Sequence, residues 1–308
     1  MHSKFRRPLL GFAAVGLALG LTACAAGSAP SGGTHSAATS AASGATKTST
    51  PAAAGGGGTT LLQKVQSTRK LTVALAPFAP LEFQSKKTKQ WEGFDISMLG
   101  AFAHSLGAHL SIQALPFAAT IQAVSVHRAD ITANIFKTAK RAKIVAFSKP
   151  VLNYVDGVIV NAQHPQVTTD SVSALSGKRI GTCRGCAEQA FVPKIPHATN
   201  VSFSTAEESF LAVSTGRVAA AFQPVMYAQY DMHQNPSLHL KVLGAIPRSA
   251  AGAAQKPQGF YAVAKGTYSK TFLTKLNAFL AKSCKSGKTK SYLTHYALTG
   301  SSYLSGIC

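Results

Sequence analysis

The sequence predicts an α/β fold of two similar lobes with a cleft between them, and three observations lead there. With 46% hydrophobic and only 13% charged residues, the 308-residue chain has ample material for a core, and its length suits roughly two domains. Strand-like and helix-like runs alternate along it, the pattern of sheets covered by helices. The alternation occurs twice, and the chain crosses between the two units and returns, which leaves a cleft where small ligands commonly bind.

The N-terminus comes first. Lys4, Arg6 and Arg7 precede an apolar run from Pro8 to Leu21, the charged and apolar parts of an export signal. The run stops at Leu21-Thr22-Ala23-Cys24, which resembles the lipobox of bacterial lipoproteins. That resemblance implies a signal peptide over 1–23 and lipidation of Cys24, with an ordinary secretory signal as the alternative. Acyl chains contribute roughly 0.8 kcal/mol per buried methylene, enough for a multiply acylated cysteine to stay on a membrane. Residues 24–60 are Ala, Ser, Thr and Gly, ending in Gly55-Gly56-Gly57-Gly58, and read as a flexible tether reaching roughly 30–36 Å. No later apolar run approaches the ~20 residues that span a bilayer.

The folded part begins near Lys70. Leu71 to Leu75 reads as a strand closed by Pro77 and Pro80, and Phe94, Ile96, Met98, Leu99, Phe102 and Leu106 recur at helical spacing before Gly107. Leu110 to Leu115 is strand-like, Ala119 to Val126 helical, and Ile131 to Ile135 a buried strand. A linking strand, Gly157 to Val160, leads to a second unit with strands at Lys178–Thr182 and Ala219–Phe222 and helices from about Glu188 and over Ala206–Thr215. The chain returns through Phe260 to Ala264 and ends in Lys-rich helices.

Four motifs in register carry a family resemblance. Gly93-Phe94-Asp95-Ile96, Thr138-Ala139-Lys140-Arg141, Phe147-Ser148-Lys149-Pro150 and Leu175-Ser176-Gly177-Lys178-Arg179-Ile180-Gly181 closely resemble those of family 3 extracellular solute-binding proteins, the amino-acid receptors of ABC importers. The order holds from about Leu62 to about Tyr296. The resemblance implies a periplasmic-binding-protein-like type II fold, with lobe 1 over 61–157 plus 263–308, lobe 2 over 158–262, and a hinge that closes on a ligand. It also implies an extracytoplasmic monomer that captures an amino acid or related small carboxylate, delivers it to a permease, and uses no cofactor or metal.

Site residues follow from the same match. Arg141 is placed where the family clamps the ligand's α-carboxylate, a task suited to the planar donor fork of guanidinium. Asn134, Phe136 and Thr138 fall where the family contacts that carboxylate, although Thr138 is equally a helix N-cap. Gly185, Cys186 and Ala187 match a loop whose amides close from the other lobe, at what reads as a helix N-terminus suited to an anion. Phe78 matches an aromatic that packs over the ligand side chain, and a core role fits it as well.

The main departure is Pro224. The family has an acid there for the ligand's ammonium, and Pro224 offers neither charge nor N–H. A desolvated ammonium without an anion is costly, which places an ordinary α-amino acid in doubt. Three ligand classes fit: a non-amino organic acid, an acidic amino acid, or an amino acid whose ammonium meets backbone carbonyls. A further acid near Leu75-Ala76, common in receptors for basic amino acids, is also missing, which disfavours Lys, Arg and His. Ser97 replaces another acid of the pattern at a position read as solvent-facing.

Four cysteines besides Cys24 allow three full pairings in an exported protein; local sequence favours Cys183–Cys186 and Cys284–Cys308. Cys183-Arg184-Gly185-Cys186 is also redox spacing and half a zinc site. Rival functions are a dehydratase-like enzyme on this fold, a ligand-sensing lipoprotein, or nucleic-acid binding. Among the acids, Glu82, Glu92, Asp95 and Asp130 read as helix starts or exposed turns and Glu188, Glu207 and Glu208 as helix N-termini, so none is an obvious catalytic group. The formal charge of +21 falls to +18 without Lys4, Arg6 and Arg7, and the basic 282–290 stretch lacks aromatic interleaving, so a solvated face explains it better than nucleic acid. Too few acids rather than too many bases is the unusual feature, and it suggests an acidic habitat.

Overall fold

A capping box opens the described chain: Thr60 accepts the Gln63 N–H, and the Gln63 side chain answers to the Thr60 N–H, fixing the start of helix Leu61–Thr68. The computed structural model describes residues 59–251 and 258–308; the signal, Cys24 and nearly all of the tether lie outside the described residues. No described helix is long and apolar enough to cross a membrane.

Two sheets form, each with helices against it. The first has the order His109–Ala114, Lys70–Leu75, Ile131–Phe136, Gln258–Ala264, Val145–Phe147, with Leu152–Asn153 also paired to Gln258–Ala264. The second has the order Thr199–Phe203, Arg179–Cys183, Ala220–Pro224, Asp156–Asn161, Leu240–Ala245. In each, three parallel strands are followed by an antiparallel strand that the chain supplies after crossing from the other lobe. Parallel strands covered on both faces need continuous apolar runs, and Ile131–Phe136 and Ala220–Pro224 are buried almost throughout. Because Gln258–Ala264 pairs in the first sheet along its length, 258–262 sit with the first sheet, although the sequence reading placed them in the second lobe.

The alternation seen in the sequence gives seven of these strands within one or two residues, and Val145–Phe147 and Leu152–Asn153 lie beyond it. Thr199–Phe203, Leu240–Ala245 and helix Val225–Gln234 are additional. The helix expected from Glu188 is instead two 3₁₀ turns, Ala187–Ala190 and Val192–Lys194. Pro193 has no N–H to donate to an α-helical ladder, so the segment tightens rather than propagates.

Gly93 shows how local geometry sets up the interior. Its φ is +126°, and a Cβ there would stand 2.2 Å from the Leu81 carbonyl oxygen, so only glycine lets the 80–82 loop lie on the start of helix Phe94–Ser105. The Asp95 N–H then donates to Leu81 at 2.8 Å, which brings the Glu82 and Asp95 carboxyls together.

Asp130 ties the first helix to the first sheet. One carboxylate oxygen accepts from Lys64 Nζ at 2.7 Å and the other from the Thr72 N–H at 2.8 Å, and Asp130 is buried. Asp130→Ala removes both bonds but leaves Lys64 access to water, so unfolding free energy should fall by about 1–3 kcal/mol. Urea denaturation checks this; a change below about 0.5 kcal/mol would contradict it.

Candidate ligand-binding site

The loops leaving the carboxyl ends of the parallel strands carry the site, as is general for open α/β sheets. After Phe136 the chain turns at Thr138, whose hydroxyl accepts the Arg141 N–H at 3.2 Å and caps the short helix Ala139–Ala142. That turn folds Arg141 back over the strand end. Its Nη1 donates to the Phe136 carbonyl and its Nη2 to the Gly185 carbonyl of the second lobe, both at 2.8 Å. The guanidinium also lies 5.3 Å from the Phe117 ring centre and is 8% exposed. Burial lowers the Arg141 pKa and the nearby Glu188 carboxylate opposes that, but a guanidinium stays charged.

From the second lobe the loop 183–187 meets this arginine. A disulfide joins Cys183 to Cys186, and another joins Cys284 to Cys308 near the end of the chain. Gly185, at φ +81°, brings the loop so near the first lobe that a Cβ would sit 3.0 Å from Ala118. Because the turn after it is a four-residue 3₁₀ segment, the helix N-terminus expected at Gly185-Cys186-Ala187 is not formed. Anion binding there has to come from side chains and single amides. Cys183, Cys186 and Glu188 place one ligand atom each within 4.8 Å of one another, but both sulfurs are in the disulfide and offer no thiolate to a metal.

Twelve side chains enclose a cavity of about 20 Å³, room for roughly one water. Phe78, Asn134, Phe136, Arg141, Cys186, Ala187 and Pro224, singled out from sequence, line it. Thr138 is the N-cap already described, and Gly185 contributes its carbonyl to Arg141. Phe117, Cys183, Glu188, Gln223 and Tyr227 were not anticipated. Tyr227, on helix Val225–Gln234, stacks on Phe78 with centroids 5.2 Å apart and planes 12° from parallel. The stack joins the two lobes.

Two pairs of acids lie near the cavity lining. Pro224 pairs in register with Asp156 on the adjacent antiparallel strand, and the Asp156 carboxyl lies beside that of Glu188. Burial raises both pKa values; the neighbouring Glu188 raises Asp156 further, while a backbone hydrogen bond and then Arg141 oppose the rise at Glu188. Glu188 is the acid of the pair that lines the cavity with the arginine. Beneath the cavity, Glu82 and Asp95 form the second pair. Burial and then the Asp95 charge raise Glu82 well above the carboxylate range, and burial pushes Asp95 up to about 6 although Glu82 and the Tyr261 hydroxyl lower it. Glu82 and Asp95 were expected at helix starts or exposed turns; the Gly93 geometry buries them.

Asn134 connects this pair to the cleft. Its φ of +55° is the left-handed region that Asn tolerates, near an irregularity in the pairing of its strand with Gln258–Ala264. Its Nδ2 donates to Glu82 Oε1 at 3.1 Å and to the Tyr227 hydroxyl, and its Oδ1 accepts from the Tyr154 hydroxyl. Asn134 thus touches the buried acids, the crossing segment and the second lobe at once.

Comparisons with known proteins bear on this arrangement. No curated protein sequence matches the chain. Solved structures do. A mutant arginine-binding protein of T. maritima superposes with a TM-score of 0.69 at 24% identity, covering 77% of this chain and 98% of that one. An amino acid ABC transporter substrate-binding protein of Streptococcus pneumoniae, bound to L-arginine, gives 0.69 at 24%, covering 76% and 97%. An ancestral arginine-binding protein bound to glutamine gives 0.66 at 25%, covering 74% and 98%. All are two-lobed like this chain, and the model of the bacterial extracellular solute-binding proteins, family 3, matches residues 71–299. With that match spanning both sheets and the cleft between them, the chain belongs to family 3 of the bacterial extracellular solute-binding proteins.

Proposed function

We propose that this protein is a membrane-tethered receptor that captures an amino acid or related small carboxylate between its lobes and hands it to the permease of an ABC importer. The observation that carries the reading is Arg141: a buried guanidinium at a strand end, held by one carbonyl from each lobe. A ligand carboxylate offers the same donors two charged oxygens, and charge-assisted bonds are roughly twice as strong as neutral ones. The exchange lets a ligand replace the direct lobe-to-lobe bond. The small cavity implies that the lobes, 61–157 with 263–308 and 158–262 in the sequence reading, part about the crossing segments to admit it. Neighbours of the same fold bind arginine or glutamine, and the family is one of binding proteins.

A thermal-shift screen over amino acids and small carboxylates tests the receptor reading. A ligand at a hundred times its Kd stabilises by about 2.7 kcal/mol, and no stabilisation by any carboxylate would refute the proposal. Tethering is tested separately: Cys24→Ala should release the protein from the membrane fraction, and unchanged retention would remove lipidation from the account.

A further inference from the structure

We propose that the cleft selects a neutral zwitterionic amino acid, with Glu188 as the residue that binds its ammonium and the Gln223 side-chain carbonyl as a second acceptor. The inference rests on the receptor reading and deepens it. Glu188 is 3% exposed and lines the cavity together with Arg141. Asp156, directly across from Pro224 in the sheet, lies beside Glu188. An acid pair thus stands one strand away from the position where Pro224 offers none. The cavity lining thus carries one basic group, Arg141, and one acid, Glu188, the complement of a zwitterion.

Gln223 supplies an independent observation. It is fully buried, its Nε2 donates to Ser209 Oγ at 3.2 Å, and its Oε1 has no partner although it belongs to a residue lining the cavity. A buried acceptor without a donor is costly, and an ammonium brings three donors. A simple carboxylate would bring none, and a dicarboxylate would set a second anion against Glu188. Phe78, Phe117 and Tyr227 wall the cavity with aromatic surface, and among the described residues lining it Glu188 is the only acid, which suits a neutral side chain.

Calorimetry on the folded full chain tests this with the twenty standard amino acids and matched des-amino acids: propionate for alanine, 4-methylpentanoate for leucine and 3-phenylpropionate for phenylalanine. Wild-type protein should bind a neutral amino acid at least about tenfold more tightly than its des-amino partner, since a buried bond to a charged group is worth about that factor or more. Glu188→Gln, nearly the same shape, should remove most of that ratio. Equal binding of both partners by wild type, preference for glutamate, aspartate or lysine, or an unchanged ratio in Glu188→Gln would overturn the proposal. The wild-type ratio needs no variant to fold. If carboxylates bind in an Arg141-dependent way without preference for the ammonium, only this inference fails; if nothing binds, the receptor reading fails with it.

Discussion

Arg141→Ala is expected to weaken binding of the ligand carboxylate by about 10²-fold or more. Two charge-assisted hydrogen bonds at about 1.5–3 kcal/mol each are lost, and every 1.4 kcal/mol is a factor of ten. The substitution also removes the cation facing Glu188, so that carboxylate becomes harder to ionise and the cleft loses both halves of its charge pattern. Arg141→Lys should recover only part of the affinity, because an ammonium cannot present the planar fork that now reaches Phe136 and Gly185 simultaneously. Calorimetry on any ligand found in the screen measures this. An affinity within threefold of wild type in Arg141→Ala would remove the arginine from the site.

The second large effect is on stability, which should rise as pH falls from 6 to 4. In the folded chain Asp95 keeps its proton up to about pH 6, whereas its ordinary value is 3.8. The folded state therefore binds the proton more tightly than the unfolded one. The stabilisation is complete below about 3.8 and is lost as pH rises through about 6. That gap corresponds to about 3 kcal/mol, or about 6–12 °C in Tm for a fold of this size. Burial raises Glu82, Asp156 and Glu188 in the same direction, so the trend has the same sign at each. Five of the ten acids, Glu82, Asp95, Asp130, Glu188 and Asp231, are buried, so acidification neutralises few surface carboxylates. Thermal unfolding followed by circular dichroism at pH 4, 5, 6 and 7 would show the rise, and Asp95→Asn should flatten it. A midpoint that falls steadily from pH 7 to pH 4 would contradict the account.

Half of the chain's few acids lie in its interior, and burial raises the pKa of four of them, Glu82, Asp95, Glu188 and Asp231. Their burial was not legible in the sequence. Asp95 sits in the first turn of a helix, ordinarily an exposed position, and only the approach of Leu81 to Gly93 encloses it. Glu188 was concealed for a different reason: it reads as a helix N-terminus, yet its segment is 3₁₀ and the acid is buried. Tyr227 gives no local sign at all. It lies on a helix of ordinary composition, and its partner Phe78 is about 150 residues away in the sequence and in the other lobe.

Sequence alone determined the α/β alternation, the family and the arginine at the strand end, because apolar periodicity and short motifs are local properties of the chain. Ser97, read as solvent-facing, is half-buried and shares a hydrogen bond with the Tyr296 hydroxyl, a contact 199 residues apart in sequence. Tertiary structure alone decided which charges share the cleft. Pro224 reads as a missing acid in one dimension, whereas in the sheet it stands opposite Asp156, with Glu188 beside that residue. The cause is that strand register and lobe contact set the distances between charges, and desolvation then decides which of them keep a proton.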